Sequence, residues 1–431
     1  MTPNTLPPPA KRRQSAASDP AVPEDLRLTE ILVRLPVRSL KRFRSVCQSW
    51  RAAIDDDPTF VHRHLELSTY RTPPSVLDIP CEPRLEEHWG VARSKEMEFR
   101  RIRHDKTTTV SAELMHAMAW PANRFTAVTE PIHCDGMVLV PTVSDELFIC
   151  NPATREFVEL PPGTPSVVKP SPVAFGFDHC SNTYKVARIF YRELEVVVGD
   201  DSDDLERLVG PGHEVLTLGD DGSSWSWEPT EDPPYYVAQR KPMCTWDAFY
   251  WTGAAAALSD SGDLSLPPTG LLRFSLRDKA FTLLPNPPCN FSSRSPDGDV
   301  ILGEHDKFTE LHGNLCFAHV FADMAVDLWL ADDVASPEWS PAWRIELPRP
   351  IAHSVVPLAV VDDDGDDGGL LLCVDRRVLY KYSVRSGAVE QVVDLQRAPD
   401  LYGRRPPLPL LLVHHAVPYV ESLVSICRPN Y

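Results

Sequence analysis

The sequence predicts an α+β protein in two parts: a small N-terminal helical module, then an all-β, propeller-like repeat domain of about six or seven blades. Three observations predict it. From Val22 to about Leu67 the apolar residues recur at helical spacing. Beyond about Thr107, short apolar runs such as Gly136-Met137-Val138-Leu139-Val140 and Glu195-Val196-Val197-Val198 are bounded by Gly, Pro and Asp. Three of these β-type stretches can also be laid over one another without gaps.

The helical module starts at Pro23, where a missing N–H costs nothing, with Glu24 and Asp25 on the positive end of the helix. Leu28, Ile31, Leu32 and Leu35 form one face, and Pro36 ends the helix because it pushes Leu35 out of helical geometry. A second helical stretch carries Leu40, Phe43, Cys47, Trp50 and Ile54. After Asp55-Asp56-Asp57-Pro58 a third carries Phe60, Val61, His64 and Leu65. Some 45 residues of short helices bury too little surface to be comfortably stable alone. Their dense apolar content predicts a face covered either by the rest of the chain or by a partner.

The superimposable stretches are Leu147–Leu160, Leu271–Leu284 and Leu379–Val392. In each, a strand enters a polar turn (Ala-Thr-Arg-Glu, Arg-Asp-Lys-Ala or Arg-Ser-Gly-Ala) and leaves as a second strand, so each is a hairpin. Shorter strands precede them at Asp135–Leu139, Asp247–Trp251 and His312–Cys316. Such a unit cannot cover its own apolar faces, so copies should stack, radially in a propeller or alternatively as an open sandwich. The expected division is a disordered tail at 1–21, the helical module at 22–67, a connector at 68–106 and the β domain at 107–431.

Composition narrows the function. The chain of 431 residues carries 43 prolines, which disfavours long helices, and no apolar run approaches the roughly 18 residues of a membrane span. Ten scattered cysteines without a CxxC clip read as reduced thiols of a cytoplasmic or nuclear protein. Residues 1–110 hold 19 Lys+Arg against 15 Asp+Glu, whereas 111–431 hold 24 against 46, which makes nucleic acid and membrane unexpected partners of the β domain. Lys11-Arg12-Arg13 is read as a solvated tail rather than an import signal. The acidic runs Asp200–Asp204 and Asp362–Gly368 read as loop tips. A calcium loop from Asp362 would need Gly sixth and Glu twelfth but finds Asp367 and Cys373. His133-Cys134 and His179-Cys180 are too far apart for a compact zinc clip. Neither a nucleophile elbow nor a phosphate-cradling loop occurs, so no catalytic residue, metal or cofactor is expected. Trp225, Trp227, Trp246, Trp251, Trp329, Trp339 and Trp343 are expected to fill the space between blades rather than form a recognition surface.

The string VPEDLRLTEILVRLPVRSLKRFRSVCQSWR from Val22 to Arg51, followed by Asp57-Pro-Thr-Phe60, resembles the F-box motif in order, spacing and residue type. Val22 stands where that family usually has Leu, and Gln48 where Lys or Arg is common. The resemblance implies docking on the Skp-type adaptor of a cullin-RING ubiquitin ligase through Pro23, Leu26, Ile31, Leu35, Pro36, Leu40, Val46, Cys47 and Trp50. Further on, Cys134-Asp-Gly-Met-Val-Leu139, Asn151-Pro-Ala-Thr-Arg155, Phe175-Gly-Phe-Asp178 with Tyr184-Lys-Val186, Phe249-Tyr-Trp251 and Pro418-Tyr-Val-Glu-Ser-Leu-Val424 resemble the F-box-associated domain of plant F-box proteins. That implies a propeller-like surface presenting a protein substrate. The expected function is a non-catalytic substrate receptor; the alternative is a carbohydrate- or small-molecule-binding propeller with a scaffold-only helical module.

Overall fold

Leu35 leaves helical geometry at φ −87°, ψ 148°, as the following Pro36 requires, and this break sets the shape of the helical module. The computed structural model describes residues 30–71, 75–81, 96–104, 110–119, 128–198, 204–219, 225–234, 236–238, 240–245, 247–253, 271–288, 305–331, 337–361, 368–397 and 413–427. The expected tail, the helix start at Pro23, Leu26, the loop tips at 200–203 and 362–367, and Trp246 lie outside these residues.

Before Leu35 the described chain makes a 3-10 turn, Leu32–Arg34. The single stretch expected over Leu40 to Ile54 is two helices, α1 (Val37–Phe43) and α2 (Gln48–Asp56). Ser45 Oγ donates to the Arg42 carbonyl at 2.8 Å, a side-chain bond that competes with helical pairing, and Cys47 is fully extended at φ −158°, ψ 169°. Phe43 and Trp50 still meet edge to face across the break, with ring centroids 5.7 Å apart. In α3 (Pro58–Arg71), Pro58 takes the first helical position, and Asp57 Oδ1 accepts from the amides of Thr59 (2.9 Å) and Phe60 (3.3 Å).

The β domain starts earlier than expected. Within 68–106, expected as a connector, the described residues include the end of α3 and two strands, β1 (Ser75–Cys81) and β2 (Glu96–His104), which with β3 (Val110–Ala119) form three quarters of a blade. Five complete four-stranded antiparallel blades follow. They are β4 (Ile132–Cys134), β5 (Met137–Pro141), β6 (Leu147–Asn151), β7 (Glu156–Glu159); β8 (Val173–Asp178), β9 (Thr183–Val198), β10 (Asp204–Thr217), β11 (Trp227–Pro229); β12 (Met243–Thr245), β13 (Ala248–Thr252), β14 (Leu271–Ser275), β15 (Phe281–Leu284); β16 (Lys307–Leu311), β17 (Asn314–Ala322), β18 (Ala325–Ala331), β19 (Trp339–Glu346); and β20 (Val355–Val361), β21 (Gly369–Val374), β22 (Val378–Ser383), β23 (Val389–Asp394). Finally β24 (Val413–Tyr419) returns to the first blade and pairs with β1 over seven residues, from Ser75 with Tyr419 to Cys81 with Val413. The first strands of successive blades neighbour one another and β24 touches both β20 and β4, so the six blades close into a ring around a channel.

Each of the three superimposable stretches is the third-and-fourth-strand hairpin of a blade, as expected. The second and third strands are covered on both faces: β5, β6, β13 and β14 are buried at every residue and are mostly apolar, with Arg273 and Ser275 interrupting β14. The outermost strands β7, β15 and β23 are partly exposed. Described tryptophans pack between blades, Trp251 with the third and fourth blades and Trp329 and Trp339 with the fourth and fifth.

Candidate functional site

Two surfaces carry the functional question: the helical module and the ends of the channel. In the module, Leu32, Val33, Val37, Leu40, Ala53, Ile54, Phe60 and Val61 join one hydrophobic cluster with the second and third blades and the terminal residues Leu423, Val424 and Ile426. The module is thus fastened to its own propeller on one side. Other apolar residues of the module stay open: Ile31 is 49% and Val46 58% exposed, and Pro36 and Cys47 are exposed, while Leu35 and Trp50 are half-buried against the same cluster. Leu40, named with them from the sequence, is buried instead. At 0% exposure its side chain forms the centre of the module and is out of a partner's reach in this conformation. Of the nine residues named from the sequence, Pro23 and Leu26 lie outside the described residues, and Ile31, Pro36, Val46 and Cys47 are surface-exposed.

His64 on α3 ties the Pro36 break to the module. Its Nε2–H donates to the Leu35 carbonyl at 3.0 Å, and burial lowers its pKa, so the ring stays neutral with Nδ1 unpaired. Beneath it, between the module and the carboxy ends of the inner strands, lies a cavity of about 1020 Å³. Burial opposes charge on several of its groups, although Arg101 and Glu421 in the same lining form an ion pair. Burial drives His133 down to about 4, pushes the Cys134 and Cys244 thiols up, and raises the Asp135 and Glu310 carboxyls. His133 Nε2 accepts from the Gly136 amide at 2.9 Å, and no cluster of three metal-ligating side chains occurs among the described residues. All nine described cysteines are free thiols.

The scattered motifs of the β domain converge in space, where they seal the ring. Asn151 Nδ2 donates to the carbonyls of Ser422 (3.3 Å) and Val424 (2.7 Å), while its Oδ1 accepts from the amides of Ala153 and Thr154. Tyr184 donates to Asp135 Oδ2 at 3.0 Å, and Ser422 Oγ donates to the Asp135 carbonyl. Asp135 and Gly136 form a two-residue turn with φ of 51° and 86°, and a Cβ on Gly136 would meet Ser422 Oγ at 2.2 Å. These residues are structural, a web between the second blade, the third blade and the terminal segment.

At the opposite, amino ends of the inner strands the channel narrows to a small mouth whose lining includes Glu130, Lys241, Lys307, Arg376, His414 and His415. Of these only His414-His415 stands out in the sequence, as a strand or turn pair; the residues are spread over nearly three hundred positions and meet because the blades are circularly arranged.

Comparison with known proteins agrees with both parts. The family model described as F-box associated beta propeller domain matches residues 89–362, more than half of the chain, and that described as F-box domain matches residues 28–62. Among curated relatives from Arabidopsis thaliana, the putative F-box protein At3g10430 is 31% identical over 192 residues, 43% of this chain and 44% of its own length. F-box protein At3g07870 is 24% identical over 324 residues (72% and 69%), and putative F-box protein At4g38870 is 26% identical over 348 (79% and 72%). The match thus spans less than half of the first of these relatives and about seven tenths of the other two. An open F-box face joined to a six-bladed ring, with both family models matching in that order, places this chain among the plant F-box proteins that carry an F-box-associated β-propeller.

Proposed function

We propose that this chain is the substrate-choosing subunit of an SCF-type ubiquitin ligase, docked on a Skp-type adaptor and through it on a cullin-RING core. The observation that carries the reading is that Ile31, Pro36 and Val46 are exposed to solvent while Leu32, Val33, Val37, Leu40 and Ile54 are buried in the cluster shared with the propeller. An exposed apolar patch on a family-matched docking module is best accounted for by a partner that covers it. The chain would act without catalysis: the module anchors it to the ligase, and the propeller holds a target so that its lysines meet a high effective concentration of activated ubiquitin. Buried, protonated thiols such as Cys316 and Cys373, both pushed up to about 12, fit the reducing cytoplasm or nucleus.

Ile31→Asp and Val46→Asp place charge on exposed positions, so the fold should survive while co-purification with the adaptor is lost. Full adaptor binding by both folded variants would remove the assignment. A second reading, a small-molecule-binding propeller, is favoured by the cavity of about 1020 Å³, at the upper end of the roughly 300–1,000 Å³ of ligand pockets. Saturable metabolite binding by the full chain, with no adaptor captured, would support that reading instead.

A further inference from the structure

The small mouth at the amino ends of the inner strands lies at the other end of the channel from the F-box. The seven residues of β24 alone put roughly 20 Å between its two ends, at about 3.3 Å per residue. Glu130 precedes β4, Lys241 precedes β12, Lys307 opens β16, Arg376 lies in the turn between β21 and β22, and His414 and His415 lie on β24. Four blades thus direct charged groups, and a fifth two histidines, to one spot.

The charge there is cationic in a chain whose net charge is −18. Arg240, Lys241, Lys307 and Arg376 line the mouth against a single carboxylate among the described lining residues, Glu130, which is ion-paired with Arg376. Lys241 has no hydrogen-bond or ion-pair partner among the described residues, and interacts with Glu130 only at longer range. His414 is 1% exposed; its Nδ1 donates to Asp78 at 3.0 Å and its Nε2 has no hydrogen-bond partner. Burial lowers the Lys241 pKa, which the charge on Glu130 opposes and that on Arg376 reinforces. Burial opposes ionisation of Glu130, yet Arg376, Lys307, Lys241 and His415 together hold it below its ordinary value; His415 is driven down to about 3 by burial and then by Arg376. A fold gains no stability from crowding like charges in a narrow channel. A bound anion would compensate them.

We propose that this mouth binds one oxyanion group, a carboxylate or a phosphate, held by Lys241 and Arg376 with Glu130 as the counter-charge that tunes its affinity. The free volume of about 80 Å³ admits a single headgroup and not a whole metabolite. Arg376 supplies the planar fork that suits an oxyanion and Lys241 a point charge. The group belongs either to a free anion or to an acidic or phosphorylated side chain of a target. The latter use rests on the receptor reading, and it places target and adaptor at opposite ends of the channel.

The test is isothermal titration of the full chain, at matched ionic strength in chloride, with inorganic phosphate, blocked phosphoserine and blocked aspartate. At least one is expected to bind saturably, with affinity at least tenfold weaker in Lys241→Gln and several-fold tighter in Glu130→Gln. The opposite signs separate a binding role from general damage, because a disturbed channel would weaken both variants. Binding by phosphate alone assigns a free ion, and binding by a blocked residue assigns a side chain. No saturable binding by any probe, unchanged affinity in a folded Lys241→Gln variant, or weakening in both variants would overturn the site. Adaptor capture is measured separately, so failure of the ligase reading and failure of this site are distinguishable.

Discussion

A buried histidine stores pH dependence wherever the folded chain keeps it neutral and the unfolded chain does not. The largest shifts are those of His133, down to about 4, and of His213 and His415, down to about 3, each lowered first by burial. His213 sits among Trp251, Phe274 and Phe281, with its ring centroid 4.3 Å from that of Phe274. Below the ordinary value near 6.5 the unfolded chain takes up protons that the folded one refuses. Stability is therefore complete above about pH 6.5 and falls between there and pH 4, by up to about 1.4 kcal/mol per pH unit for each histidine. Asp135 and Glu310, raised by burial, act in the opposite sense and reduce the net slope. Thermal melts from pH 7.5 to 4.5 should show a falling midpoint below pH 6.5, and His213→Phe, which fits the aromatic surroundings, should flatten the fall. A midpoint independent of pH across that range would contradict this account.

At the scale of elements, the F-box assigns its apolar residues to two tasks that its sequence spacing does not distinguish. Leu40 lies inside α1 and holds the module on the second and third blades, while Val46, six residues on, faces solvent because the helix has ended. Leu40→Ala should therefore act as a core truncation, costing about 3 kcal/mol of module stability through lost burial and an unfilled cavity. Differential scanning calorimetry would show it as a lowered or separated transition, whereas Val46→Asp should leave the transition in place and remove adaptor binding. Equal effects of the two variants on stability would mean that the division of roles is wrong.

For the whole molecule, the decisive feature is ring closure by β24. Its seven-residue pairing with β1 is reinforced by the buried His414 to Asp78 bonds (3.0 and 3.2 Å) and by the Ser75 hydroxyl donating to the Tyr419 carbonyl at 2.8 Å. Beyond β24, Arg101, 6% exposed, reaches both Glu113 and Glu421, and Asn151 holds the carbonyls of 422 and 424. A chain truncated after residue 412 loses the inner strand of its first blade and the lid over Asn151. It should melt without a cooperative transition and expose apolar surface to a hydrophobic dye, while an unchanged melting curve would show that the remaining strands close the ring unaided.

How much of this was legible in the sequence follows from how far each signal reaches. Periodicity is local, so the helical module, the repeated hairpins and the Asp135-Gly136 turn could be read from neighbouring residues. The boundary at 68–106 could not, because β1 joins its blade by pairing with β24, more than three hundred residues away, and β2 follows by pairing with β1. The same holds for Leu40, whose burial depends on the blades below it, and for Lys241, Glu130 and Arg376, brought together by circular arrangement alone. The amino-acid order by itself determined that a helical module precedes the β domain, and that the strands come in repeating units. Tertiary structure alone decided which apolar side chains are left for a partner and where charge accumulates, because burial and electrostatic potential are sums over neighbours distant along the chain.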